Sequence, residues 1–266
     1  MVKRVAILTD LEGVAGVVSF LDQTFPDARY FDDAKRLLTK EVNAVVDGLL
    51  SAGVSDVLVM DFHGPGGIWF EDLHPRARLL HGRPLAPWPR LASVIAEYDA
   101  AAIVGQHAMA GVLTGNLSHT QSSRTIDSYV LNGRPIGETA QFALYCGELG
   151  VPVIFLSGDT DACHEADELI PGITTVAVKQ GLGRGCAISL SAESARSALR
   201  EGSAAAVERH RIRPIDPLRW DGPYVLEKRF YFVEDADNAT RAAGVERVDA
   251  RTVLLRGESI QDVIYR

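Results

Sequence analysis

The chain has few cysteines and no arrangement that would give them chemistry. Cys146, Cys163 and Cys186 are the three present, widely spaced and without a Cys-x-x-Cys pair. An odd number at such spacing excludes a disulfide framework and a thiolate metal cage, and fits free thiols in a reducing cytoplasm. Long apolar runs are also missing. The first residues read MVKRVAILTD, an apolar run too short for a signal peptide, and no stretch is long enough to span a bilayer. Without a secretion signal, the Asn-x-Ser/Thr triplets at Asn116 and Asn238 carry no expectation of glycosylation. A basic excess is absent too. With 27 Lys and Arg against 35 Asp and Glu, the formal net charge of -8 argues against nucleic-acid or membrane partners.

Several catalytic signatures are absent as well. There is no GxxxxGK[ST], no GxSxG and no HExxH. The glycines of GLGRG, residues 181–185, fail the GxGxxG pattern because position 186 is Cys, and read as a flexible loop. Internal repeats and low-complexity runs are lacking.

What remains is an ordinary globular composition, 47% hydrophobic and 23% charged, in 266 residues, enough for one large or two smaller domains. Short apolar runs recur at Val5–Leu8, Val57–Met60, Ala101–Val104, Val151–Leu156 and Thr174–Val178. Between them lie amphipathic patterns. Ala34, Leu37, Leu38, Val42, Val45, Val46, Leu49 and Leu50 form one helical face, with Asp32 or Asp33 as N-cap and Gly53 as stop. Leu91–Tyr98 and Glu138–Leu149 read as further helices, and Asn132-Gly133 as a hairpin turn. Continuous apolar strands alternating with helices predict an α/β fold: a three-layer αβα domain with a mainly parallel sheet. From about Ser189 a long helix, three prolines and alternating strands (YVLEKRFYF, VDARTVLLR) predict a smaller C-terminal α+β domain. The expected division is 1–188 and 189–266.

Polar residues fall at the strand ends. The first run is followed by Asp10 and Glu12, the second by Asp61 and His63, the third by His107. Singly, each has an ordinary role as turn former, cap or loop histidine. Parallel strands would bring Asp10, Glu12, His63 and His107 to the rim where open α/β sheets bind ligands. Two carboxylates and two imidazoles suit zinc or another borderline divalent metal. His119 in a polar stretch and Glu138 at a helix start are further candidates; for Glu138 a favourable charge at a helix N-terminus is the better reading from the residues alone. Asp159 and Asp161 follow the fourth run; they could lie near the same rim, and capping the next helix explains them as well. His74, His81, His164 and His210 have no such placement.

These residues resemble a known family. TDLEG resembles the SxDxEG signature of the D-aminopeptidase family, dinuclear zinc metallopeptidases of the dipeptide-transport-protein type. VLVMDFHG, VGQHAMAG with LSHT, NGRPIGE, VPVIFLSGD and ELIPGITTVAVKQGLGR follow the family in order, over residues 3–190. The resemblance implies that Asp10, Glu12, His63, His107 and Glu138 bind two zinc ions, with Asp10 bridging, and that His119 is the catalytic histidine. It implies removal of N-terminal D-amino acids from short peptides such as D-Ala dipeptides by a ring-like homo-oligomer of decameric size; the free cysteines give the expectation of a cytoplasmic location. Phe62 departs from the family's small residue before the histidine, and the segment from His107 to His119 is about one residue longer. Another dimetal hydrolase acting on other amides and a non-catalytic metal- or peptide-binding protein stay open as alternatives, whereas the missing phosphate loop and the two strand-end histidines argue against a nucleotide-binding protein with magnesium at Asp10.

Overall fold

The computed structural model describes residues 2–266. Its elements run β1 (Arg4–Thr9), α1 (Phe31–Ser51), β2 (Asp56–Asp61), β3 (Ala77–Leu80), α2 (Trp88–Ile95), β4 (Ala100–Gln106), β5 (Ile126–Leu131), β6 (Arg134–Pro135) and α3 (Glu138–Glu148). They continue β7 (Val153–Asp159), α4 (Thr160–Leu169), β8 (Thr174–Gly183), β9 (Cys186–Ser189), α5 (Ala192–Ile212), β10 (Tyr224–Phe230), α6 (Val233–Ala239), β11 (Val245–Arg247) and β12 (Thr252–Gly257). All five apolar runs are strands of one seven-stranded sheet in the order β3-β2-β1-β4-β7-β8-β9. Every pairing in it is parallel except β8 with β9.

Residues of β4 and β7 are buried throughout, as strands covered on both faces must be. The chain steps outward from β1 to β2 and β3, then returns to the other side of β1 as β4. Right-handed crossovers running in opposite directions put their helices on opposite faces. Accordingly α1 packs with α5, and α3 packs with α4. The reversal between β1 and β4 opens a crevice at their C-terminal ends.

Local signals behave mostly as the chemistry dictates. Gly53 (φ +91°) ends α1, and Asn132 and Gly133 (φ +49° and +79°) form the β5–β6 hairpin. Asp159 caps α4 by accepting from Ala162 N at 2.7 Å. Two local expectations are corrected. Tyr30 occupies the N-cap of α1 without a side-chain bond, and Asp32 and Asp33 lie in the first turn, favoured there by the helix dipole. GLGRG is no loose loop, because β8 extends to Gly183 and turns directly into β9.

A second, five-stranded sheet has the order β11-β12-β10-β5-β6. It takes β5 and β6 from before residue 188, whereas α5, just after that point, packs on α1. Sheet membership therefore cuts the chain differently from a division at 188. The alternating strand β5 pairs antiparallel with β10, and α5 buries Leu199, Ala206 and Val207.

The α1–α5 contact is close at Gly48, where a Cβ would collide with Ser203 Oγ and the Arg200 carbonyl. Ser203 Oγ donates to Val45 O at 3.1 Å across the same contact. In an open helix, Gly→Ala gains about 1 kcal/mol. Here one of the two blocking atoms, the Arg200 carbonyl oxygen, is backbone and cannot swing aside. Gly48→Ala is therefore expected to destabilise the protein by about 1–3 kcal/mol, read as a lower denaturation midpoint at unchanged slope.

Candidate metal centre

Thr9, the last residue of β1, pairs with Asp61 of β2 and Val104 of β4, so the loops after all three strands start at one level. Asp10 and Glu12 leave β1, His63 follows β2, and His107 follows β4. The Asp61 carboxylate stays out of the centre. It accepts from Gly67 N at 2.8 Å and closes the turn that presents His63. Two backbone bonds, Asp10 N to Val104 O (2.9 Å) and Gly13 N to Gly105 O (2.7 Å), bind the first loop to the third. A Cβ at Gly13 would strike the Gln106 carbonyl, and one at Gly105 the Asp10 carbonyl. Gly13 is thus required for this close approach, and Gly105 for that and for its φ of +81°.

The side chains converge. His63 Nδ1 lies 3.2 Å from Asp10 Oδ1 and 3.1 Å from Glu12 Oε2. His107 Nε2 lies 3.2 Å from Asp10 Oδ2 and 3.4 Å from Glu138 Oε1. His119 Nε2 is 3.8 Å from the same Glu138 oxygen, and its ring stacks on His107 with centroids 4.0 Å apart. All six sequence-predicted residues therefore meet, with Asp10 between the two histidines.

The tautomers follow from the outer contacts of each ring. His63 Nε2 donates to Thr24 O (3.0 Å), His107 Nδ1 to Ala108 O (2.8 Å) and His119 Nδ1 to Leu117 O (2.9 Å). Each neutral ring then points its lone pair inward. Asp10 Oδ2, Glu12 Oε2 and His107 Nε2 are buried and make no hydrogen bond. Lone pairs facing lone pairs in a buried space require a cation. Donors sharing a tetrahedral zinc at its usual bond lengths lie about 3.3 Å apart, which the observed 3.1–3.4 Å separations match. Two overlapping groups have all donor atoms within 4.8 Å: Asp10, Glu12 and His107, and His107, His119 and Glu138. The residues fit zinc.

Electrostatics agree with the geometry. Burial pushes the Asp10 carboxyl upward, but contacts with His107 and His63 outweigh it and hold it well below the usual carboxylate range. Burial likewise opposes protonation of His63 and His107, yet the surrounding acids raise both well above an ordinary imidazole. In the absence of a metal the acids would hold protons on these rings, so metal and protons compete for one place. His119 differs. Burial, then the neighbouring His107 charge, lowers its pKa, so it stays neutral near pH 7.

The supporting residues have weak sequence signals. Lys179 Nζ, buried, donates to the Glu12 carbonyl, to Val17 O (2.6 Å) and to Asn116 Oδ1 (2.8 Å), tying the first loop to β8. Glu41 of α1 accepts from Ala15 N at 3.0 Å. Asp159 accepts from Ala108 N at 3.0 Å, fixing the backbone beside His107. A lysine at a buried strand position was the available signal for the first of these. Leu117 (φ +54°) and Gln121 (φ +63°) flank His119 in the left-handed region, a strain of about 1–3 kcal/mol each that marks a positioned segment. Gln121 N donates to Glu138 Oε1 at 2.7 Å, holding that carboxylate toward the histidines. His74, His81 and His210 contact Asp47, Phe70 and Ile215 N, away from the centre.

Beside the centre lies a cavity of about 380 Å³ whose lining includes Asp10 and Glu138. Phe62, the departure noted in the sequence, forms part of its wall and packs edge-on to Trp88 at 5.5 Å.

Comparison with known proteins agrees with this geometry. A family model described as D-aminopeptidase matches residues 3–266. A D-aminopeptidase of Bacillus subtilis (strain 168) is 33% identical over 241 residues, 89% of this chain and 85% of that protein. The solved structure of the Zn-dependent D-aminopeptidase DppA from Bacillus subtilis, described as a self-compartmentalizing protease, superposes with a TM-score of 0.87 at 29% identity, over 97% of this chain and 93% of the other. With a family match spanning nearly the whole sequence, this chain belongs to the D-aminopeptidase family.

Proposed function

We propose that this protein is a dinuclear zinc aminopeptidase that removes N-terminal D-amino acids from short peptides such as D-Ala dipeptides. The observation that carries the reading is the set of inward, unpartnered donor atoms on Asp10, Glu12 and His107, joined by His63 and Glu138. These five residues would hold the two ions, with Asp10 shared between them because its two oxygens face different histidines. The family match and the zinc dependence stated for the solved relative support the metal and the reaction class.

When bound, zinc polarises the scissile carbonyl and lowers the pKa of water toward neutrality. The protein's own residues supply the rest. His119 is neutral and holds its Nδ1 proton on Leu117 O, so Nε2 can take up a proton as general base and return it to the leaving amine. Once protonated it can also donate to the developing oxyanion. Phe20 meets the His119 ring edge at 5.6 Å and Arg184 lies over Phe20 at 4.9 Å, which together hold the imidazole in place. The cavity wall of Phe62, Trp88, Tyr129 and Tyr265 leaves about 380 Å³ beside the centre, which suits a peptide of small size. We also assign a ring-like homo-oligomer of decameric size, supported by the self-compartmentalizing description of the relative, and a cytoplasmic location, supported by the free cysteines.

Metal analysis tests the centre. The protein is expected to carry about two zinc ions per chain and to lose D-aminopeptidase activity on chelation. One ion per chain, or activity that survives metal removal, overturns the dinuclear reading. His119→Ala separates the roles: kcat is expected to fall at least about 100-fold while both ions stay bound. Loss of one ion in that variant would make His119 a ligand.

A further inference from the structure

The three loops that carry the donor atoms are not held alike. Two backbone bonds tie the Asp10 loop to the His107 loop. Among the described residues no backbone bond ties residues 62–65 to either of them. The strand on the other side gives no help, because β3 ends at Leu80, opposite Met60 of β2. From Asp61 onward the chain that delivers His63 has no strand beside it there.

Arg83, three residues past the end of β3, supplies the missing donors. Its Nη2 donates to Asp61 O (2.9 Å) and to His63 O, and its Nε to Gly64 O (2.5 Å). Nη1 donates to Gly82 O at 2.8 Å, so each nitrogen of the guanidinium is spent on a carbonyl. Among the described residues no other side chain donates to Asp61, His63 or Gly64 O. A planar fork suits this task, because its donors diverge at fixed angles and can hold several acceptors at once. The Arg83 side chain is 29% exposed, so it grips the turn from outside and fills no part of the core. On the inside, His63 Nδ1 must stay near both Asp10 Oδ1 and Glu12 Oε2 while Nε2 stays on Thr24 O. Backbone freedom at residues 61–64 would spoil that aim. The His107 loop, tied to the Asp10 loop, does not depend on the same clamp.

We infer that Arg83 is a positioning residue of the metal centre: by clamping the His63 turn it sets the affinity for the ion on the His63 side and leaves the ion at His107 and Glu138 unaffected. The inference rests on the dinuclear reading and assigns one residue to one of its two ions.

The test titrates the zinc-loaded protein with a chelator and follows zinc release. Arg83→Met is expected to raise the Kd of one ion about 10–100-fold, as loss of a partner behind a metal ligand does, and to leave the other within about twofold. Arg83→Lys, a single point charge that holds fewer carbonyls, should fall between wild type and Arg83→Met. His63→Ala tests the route. In that background Arg83→Met should change the Kd of the remaining ion by about twofold or less, because both substitutions act on one path. Unchanged release in the Arg83 variants, equal weakening of both ions, or a further loss in the His63→Ala background overturns the inference. If Arg83→Met does not fold, Arg83→Lys and its combination with His63→Ala decide the same question. A wild type that binds one ion overturns the dinuclear reading, and the Arg83–His63 cycle on that ion's Kd still decides the role of Arg83.

Discussion

Two backbone hydrogen bonds, Asp10 N to Val104 O and Gly13 N to Gly105 O, carry the contact of β1 with β4 past the edge of the sheet. They work only because Gly13 and Gly105 leave no Cβ between the two loops. The consequence is chemical. Asp10 and His107 leave neighbouring strands at the same level, and the loops cannot drift apart as exposed loops do. Glu12 is then held from behind by Lys179, which reaches across from β8 to its carbonyl. The centre is thus built on backbone contacts among the ends of central strands, the most constrained part of an open parallel sheet.

Charge is handled by pairing each costly group with a neighbour. Three buried donor atoms without hydrogen bonds would be a defect in a structural core. Here they face one another, and every histidine has spent its other nitrogen on a backbone carbonyl. That outer bond sets the tautomer and leaves one lone pair per ring for a cation. Farther out, burial drives Glu41 up to about 8 and Lys179 down to about 8, so at neutral pH Glu41 is mostly uncharged while Lys179 stays mostly protonated. The uncompensated charge is concentrated where a ligand or metal can meet it.

The second sheet adds a cavity wall rather than another centre. Tyr129 of β5 and Lys228 of β10 pair across that sheet and project into the space beside Asp10 and Glu138. Tyr265, stacked on Trp88 at 3.9 Å, closes another side. Cavity size and charge are therefore set by segments far apart in the chain.

Much of this was legible in the sequence. Apolar runs ending in Asp10, His63 and His107 identified parallel strands and their shared rim, because strand period and burial are local properties. Ordered motifs extended the candidates to His119 and Glu138. Tertiary structure alone decided the rest. Which nitrogen of each histidine faces inward depends on carbonyls at Thr24, Ala108 and Leu117. Membership of β5 and β6 in the second sheet depends on β10, nearly a hundred residues later in the chain. The inward face of Lys228 depends on pairing register, since a shift of one residue would turn it to solvent. Residue types and spacing follow from the chain itself; direction, tautomer and charge pairing arise only when distant strands meet.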